Sequence, residues 1–379
     1  MITGIICEYN PLHRGHKKQL DMIRAADPDG SIVCLMSGNF VQRGMPAIVN
    51  KMARAEAAIK CGADLVLELP VTAALSSAEG FAETGVNILA TCCQQLCFGA
   101  ETNDKDTLLQ TAQALLCEGF STRLKSALQT GVSFPAARQV ALDAMGLNGT
   151  VLTKPNNILA VEYCKAILSQ GNAMSIMPIF RKGSYHDTEA DLQNPSATAV
   201  RKLMLGSHDW KSCVPVEAVS LLDGQPMHHI SFGEKAILAK LRTMTDADFE
   251  ALPYGSEGLW RKLMHASRSK STLKEILEET KSKRYTRSRL DRMVMCAFLG
   301  ITEEVMFTQV PYVRVLAFND KGRQVLKEAR LHREFVNIGQ RMDCPYQALE
   351  DRCGALYGLF SQEPEQPDAE QNYRVYYHQ

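Results

Sequence analysis

Two periodicities divide the chain. Short, nearly continuous apolar runs recur through its first half, at residues 2–7 (ITGIIC), 31–36 (SIVCLM), 64–69 (DLVLEL), 95–98 (QLCF) and 174–179 (MSIMPI). Between them, residues 16–26, 50–61, 75–91, 106–117 and 156–169 carry helical patterns. Strands that lack polar alternation are covered on both faces, and strands alternating with helices form a parallel sheet. The pattern predicts an α/β fold, a Rossmann-like parallel sheet over residues 1–206. Beyond residue 206 strands become scarce, and 212–223, 233–243, 257–266, 271–280 and 286–299 read as helices. One strand-like segment, 312–318 (YVRVLAF), precedes an NDKG turn and the helical RQVLKEAR. Residues 207–379 are therefore expected to form a mainly helical C-terminal domain. The polar, proline-rich 362–370 (QEPEQPDAE) reads as a surface loop or frayed tail.

Composition adds exclusions. At 45% hydrophobic and 22% charged residues the chain is an ordinary globular one, neither disordered nor fibrous. No apolar run approaches a membrane span, and MITGIICEYN lacks the basic and apolar regions of a secretory signal. Twelve cysteines contain no C-x-x-C pair, so reduced thiols in a cytoplasmic protein are expected. The 42 basic and 42 acidic residues cancel. That sum disfavours a nucleic-acid partner only if the charges are evenly spread.

In open α/β sheets ligands bind beyond the carboxyl ends of the strands. The end of the first strand is CEYNPLHRGH, which contains His13-Arg14-Gly15-His16 at the start of a helix. A helix N-terminus offers unpaired N–H groups and a positive dipole end to phosphate. Gly15 would let a nucleotide approach the backbone, and His13 and His16 share one side of the first turn. Such imidazoles can donate to oxygens that gain charge as a phosphoryl centre is attacked. The plain alternative is two histidines packing at a helix start. A zinc site is the weaker reading, since H-x-x-H here has no third ligand. A second segment, Asn194-Pro195-Ser196-Ala197-Thr198-Ala199-Val200-Arg201, reads as a helix start with Asn194 as N-cap. It would bring Ser196, Thr198 and the fixed charge of Arg201 to an anion.

H-x-G-H after the first strand, with S-x-T-x-x-R at the far end of the same domain, resembles the nucleotidylyltransferase superfamily. More specifically, EYNPLHRGH, MSGNFVQRGMPAI, ADLVLELP, CFGAE, KPNNILAVEY, FRKGSYHD and YTRSRLDR resemble successive blocks of the bacterial tRNA(Met) cytidine acetate ligase family. The resemblance implies ATP-dependent activation of acetate to acetyl-adenylate, then acetyl transfer to N4 of the wobble cytidine (C34) of elongator tRNA(Met). It implies ATP contacts from Ile6, Cys7, Glu8, Tyr9, Asn10, His13, Gly15, His16 and Gln19. Gly99 and Arg181 match further ATP-contacting positions; Lys182, Ser196 and Thr198 join them by their own placement at a strand end and a helix start, and His13, His16 and Arg201 are the catalytic candidates. One of Asn156 and Asn157 is a further ATP contact, Asn157 by spacing. Magnesium is expected to accompany ATP. Read on its own, Gly99 gives room for a base or ribose against bare backbone. Gln42 and Arg43, after the second strand, are candidate contacts to acetate, phosphate or RNA.

Residues 260–292 hold eleven basic and four acidic residues. Within them Lys281, Lys283, Arg284, Tyr285, Arg287 and Arg289 form a stretch without acids, and Arg292 follows on the same helix. With Leu290, Met293, Val294 and Ala297 forming its apolar stripe, Arg289 and Arg292 are expected to project from the other side. Cations on a packed helix suit a phosphodiester backbone and Tyr285 offers a stacking face, although basic solvated helices are common. The expected partners are tRNA(Met) and acetate, with no membrane and no DNA. Two other readings are a small-molecule adenylyltransferase and a non-catalytic RNA-binding protein.

Overall fold

Six of the seven residues in Ser31–Ser37 are buried, as a strand covered on both faces requires. The same holds for β5 (Leu65–Leu69), while β1 (Ile2–Cys7) and β6 (Gln95–Ala100) are partly covered and β7 (Ser175–Phe180), at the sheet's edge, buries one residue; with β2 (Ser31–Ser37) these strands are separated from one another by helices and, after β2, by the small β3–β4 hairpin (Phe40–Val41 and Met45–Pro46). The computed structural model describes residues 1–102, 104–181 and 195–379. The five long strands lie parallel in the order β5-β2-β1-β6-β7. From β1 the chain winds outward through β2 to β5, then returns to β6 on the other side. The strand order thus reverses between β1 and β6, where such sheets open a crevice.

The C-terminal half is mainly helical, with a core of its own built from Ile237, Leu263, Ile276, Met293 and Phe298 among others. It also extends the sheet. β8 (Val313–Phe318) pairs antiparallel with β5, and β9 (Phe335–Asn337) and β10 (Tyr376–Tyr377) run parallel to β8 along its outer edge. The strand expected at 312–318 is therefore an extension of the parallel sheet of the first half. Helices not foreseen from the pattern, Glu118–Gln129 and Phe134–Asp143, lie between β6 and β7. The helix expected at 75–91 is found as Ala78–Leu89, preceded by the short helix Val71–Ala74.

Two buried polar arrangements hold the strand ends in place. Arg54, on helix Lys51–Lys60, is fully buried. Its guanidinium donates to the carbonyls of Glu8 (2.7 Å), Ser37 (3.0 Å), Gly38 and Val49 (3.0 Å). One side chain thereby ties the loop after β1 to the loop after β2. Beside it, Lys51 pairs with Glu68 and Glu370 (both 2.8 Å), and Arg314 with Glu350 (2.9 Å) and Glu370 (3.2 Å). Burial pushes the Glu350 carboxyl up to about 7, against the pull of Arg314. Residues 362–369 are mostly exposed, as expected of a surface loop, but Glu370 at the end of the segment closes this cluster and accepts from Asn39 Nδ2 (2.7 Å).

Replacing Arg54 with Leu deprives several buried carbonyls of a charged donor. Unfolding should become easier by about 3 kcal/mol or more. Urea denaturation of the parent and the Arg54→Leu chain checks this, and an unchanged midpoint would refute it.

Candidate active site

β1 ends at Cys7 and the chain turns through Tyr9, whose φ is +45°. Tyr9 is buried, and Asn10 Oδ1 accepts from the Ile48 N–H (2.8 Å), so the turn is anchored before the next helix begins. That helix, Arg14–Ala26, is capped by the two histidines themselves. His13 Nδ1 accepts from the Gly15 N–H (3.1 Å) and His16 Nδ1 from the His13 N–H (3.3 Å). The rings stack at 3.7 Å. With Nδ1 accepting in both, the ring proton of each neutral imidazole sits on Nε2. Burial, reinforced by Arg181 and Arg201, pushes His13 down to about 3. Burial, His13 and Arg181 hold His16 well below its usual value. Both therefore serve as neutral N–H donors at physiological pH. His13 Nε2 is buried and has no partner among the described residues.

A cavity of about 240 Å³ opens beyond β1 and β6. Ile6, Cys7, Glu8, Tyr9, Asn10, His13, His16, Gln19, Gly99, Arg181, Ser196, Thr198 and Arg201 all line it. Arg201 Nη1 donates to the Asn10 carbonyl (2.7 Å) and Nη2 to Thr198 Oγ1 (3.2 Å), which joins the two sequence segments across 191 positions. Ser196, rather than Asn194, caps the helix Ala197–Leu205, its Oγ accepting from the Ala199 N–H (3.0 Å). Asn194 and Lys182 lie outside the described residues.

Three expectations change. Gly15 is not on the cavity wall; a Cβ there would meet the His13 ring at 3.0 Å, so the glycine makes room for the capping imidazole. At Gly99 a Cβ would meet Arg181 Cδ at 2.5 Å, so the bare strand accommodates the arginine stem. Asn157 is buried and accepts from the Glu101 and Thr102 N–H groups (2.8 and 3.1 Å), while Asn156 lines the cavity. Spacing alone could not choose between neighbours on one helical turn. Phe81, Leu159 and Tyr163 also face the cavity. In the sequence they are indistinguishable from ordinary apolar helix positions.

Gln42 and Arg43 reach the same cavity from the β3–β4 hairpin. A Cβ on Gly44, at the hairpin turn, would strike the backbone of Asp291 and Arg292 at 2.4 Å. The hairpin thus rests directly on helix Arg287–Leu299, the basic helix. Arg289 and Arg292 do not project into solvent as expected. Arg289 donates to the Tyr254 carbonyl (2.8 Å) and to Ser256 Oγ (2.9 Å), and its guanidinium lies over Tyr285 at 4.8 Å. Arg292 lies over Tyr254 at 5.1 Å and donates to the Gln42 carbonyl (3.4 Å). Lys281, Lys283, Arg284 and Arg287 are exposed. Of these, Arg284 pairs with Glu257 (2.7 Å) and Arg287 with Asp291 (2.9 Å). The Tyr285 hydroxyl donates to Glu257 (2.7 Å).

The profile of the HIGH Nucleotidyl Transferase family matches residues 1–372. The tRNA(Met) cytidine acetate ligase of Clostridium novyi is 37% identical over 348 residues, 87% of each chain. That of Acetivibrio thermocellus is 34% identical over 355 residues, covering 87% of this chain and 85% of the other. Among solved structures, Thermotoga maritima TmcAL without ligand superposes with a TM-score of 0.91 at 29% identity, over 99% of both chains. The same protein bound with alpha-thio ATP gives 0.87 over the same shares. The chain belongs to the HIGH nucleotidyl transferase family and, within it, to the tRNA(Met) cytidine acetate ligases.

Proposed function

We propose that the chain activates acetate with ATP to acetyl-adenylate and transfers the acetyl group to N4 of the wobble cytidine of elongator tRNA(Met), in the cytoplasm. The observation that carries this reading is the convergence of two neutral Nε2–H donors with Arg181 and Arg201 on one cavity at the sheet's switch point. A bound nucleoside triphosphate would lay its phosphates against these groups. Acetate oxygen attacks the α-phosphorus, the bond to the β-phosphate oxygen breaks, and pyrophosphate leaves. Charge grows on the phosphoryl oxygens during that step, and donors already in place stabilise it without reorganising. Neutral imidazoles suit the role, since each donates through its Nε2–H without having to carry a charge in a buried site. The ATP analogue bound by Thermotoga TmcAL supports the same occupant here. Neither other reading, a small-molecule adenylyltransferase or a non-catalytic RNA-binding protein, is favoured by the names of the relatives.

Among the described residues no group of three or more His, Cys, Asp or Glu side chains is placed to hold a metal. Magnesium is expected to accompany the triphosphate, and no step above is routed through it. We assign residues 1–206 to ATP and 207–379 to tRNA, the latter also completing the sheet through β8–β10. Within it, Lys281, Lys283, Arg284 and Arg287 are the proposed phosphate contacts, whereas Arg289 and Arg292 shape the surface from behind.

Two outcomes test this reading. His16→Ala should lower acetate-dependent ATP–pyrophosphate exchange by about 10²–10³-fold, with thermal melting confirming that the chain still folds; exchange at the parent rate would refute the site. Replacing Lys281, Lys283 and Arg284 together with Ala should weaken tRNA(Met) binding and flatten its salt dependence by about two to three charges' worth. Acetate-dependent exchange should stay as in the parent. Unchanged tRNA affinity across a salt titration would show that face to be solvated surface only.

A further inference from the structure

The cavity has one feature that nucleotide binding does not account for. Among the described residues lining it, Glu8 is the only carboxylate, in a wall that also carries Arg43, Arg181 and Arg201. A carboxylate repels a triphosphate, and the repulsion grows as water is excluded. Its orientation is nonetheless fixed: Oε1 accepts from the Gln42 backbone N–H (2.9 Å), and Arg54 grips the Glu8 carbonyl (2.7 Å). The second oxygen has no bond to any described residue. Beside it stands the opposite kind of group. The side-chain nitrogen of Gln42, a donor, is buried on the same wall without a partner among the described residues. Unpaired buried donors are costly, and such groups are found where a ligand completes them.

An acceptor and a donor on one wall of the cavity match what acyl transfer to an amine requires. This wall also rests on the basic helix through Gly44 and Arg292, so it is the wall adjoining the proposed tRNA face. Resting on the function proposed above, we propose that Glu8 and Gln42 form the acyl-transfer half of the site, Glu8 as the proton acceptor for the cytidine amine and Gln42 as the donor to the acetyl carbonyl oxygen. The lone pair of N4 forms a bond to the acetyl carbon, and the carbonyl π pair moves onto oxygen, where the Gln42 amide receives it. That pair then re-forms the carbonyl, the C–O bond to the adenylate phosphate breaks, and AMP leaves as the phosphate anion. One N4 proton passes to the free oxygen of Glu8. Cytosine's amine is a poor nucleophile because its lone pair is delocalised into the ring, and on attack it becomes strongly acidic. A positioned base therefore acts on the slowest part of the transfer.

The two half-reactions separate this role from nucleotide binding. Glu8→Gln keeps an acceptor for the Gln42 N–H but removes the base. Acetate-dependent ATP–pyrophosphate exchange should fall by less than about tenfold, while single-turnover transfer from preformed acetyl-adenylate to tRNA(Met) should slow by about 10²–10⁴-fold. Glu8→Asp should recover part of the transfer rate. Gln42→Met should slow transfer by about 10²–10³-fold with ATP affinity, measured by calorimetry, near that of the parent. Parallel loss of exchange and transfer in Glu8→Gln would overturn the proposal and assign the carboxylate to the nucleotide or its metal. Transfer at the parent rate in either variant would overturn that residue's role. A parent chain with no acetate-dependent exchange would instead overturn the function on which the proposal rests.

Discussion

A single buried guanidinium sets the shape of the cavity. Arg54 carries a full charge into the interior and meets backbone carbonyls there, those of Glu8, Ser37, Gly38 and Val49. Burying a charge is costly unless its hydrogen bonds are nearly all made. The planar fork of arginine can satisfy several carbonyls at once, which a lysine ammonium at the same place could not reproduce. The geometric result is that the loop after β1 and the loop leading into the β3–β4 hairpin converge on one point. One loop bears Glu8 and leads to the histidines; the other leads to Gln42 and Arg43. Two walls of the cavity are therefore positioned by the same side chain.

Within that frame, charge and neutrality are divided by position. Arg181 and Arg201 supply fixed positive charge, and their presence is one reason the imidazoles stay uncharged. The helix start and the two Nε2–H groups add directional donors without adding net charge. This division matters for a substrate as anionic as a nucleoside triphosphate. Cations provide attraction in the ground state, while donors aimed at developing charge act on the transition state. Gly15 and Gly99 belong to the same economy of space, since each clears room for a side chain of the protein: the His13 ring and the Arg181 stem.

Much of this was legible in the sequence, and the remainder was hidden for definite reasons. The parallel strands declared themselves because burial on both faces leaves no polar alternation. The H-x-G-H and S-x-T-x-x-R segments were visible because each concentrates its chemistry in a few adjacent positions. Arg54 was not visible. In KMARAEAAIK it has the look of an exposed helical arginine, and only partners far along the chain make it a core residue. Glu370 was hidden likewise: QEPEQPDAE is the exposed loop its composition suggests except at its last residue, whose partner Lys51 lies 319 positions away. Arg289 and Arg292 were placed by helical periodicity, which identifies a side of a helix but not what covers it. Asn156 and Asn157 differ by a rotation within one turn, and only the position of Glu101 decides which one reaches the cavity.

The cancelling charges of the chain take on a different meaning in this light. Carboxylates and cations are sorted by depth and not merely paired along the surface. Glu68, Glu350 and Glu370 are withdrawn into the interior, where they neutralise Lys51 and Arg314. At the surface Glu257 and Asp291 hold Arg284 and Arg287 in defined positions through pairs that exposure and salt keep weak. A polyanion can displace such partners at little cost, because what it replaces is worth so little. Lys281 and Lys283, exposed next to them, add charge close by. The basic face persists in a neutral chain because residues 260–292 are locally unbalanced, with eleven basic residues against four acidic ones, while the buried cluster cancels largely within itself. Lys51 of that cluster stands on the same Lys51–Lys60 helix as Arg54, so the one helix supports both the internal neutralisation and the shape of the site.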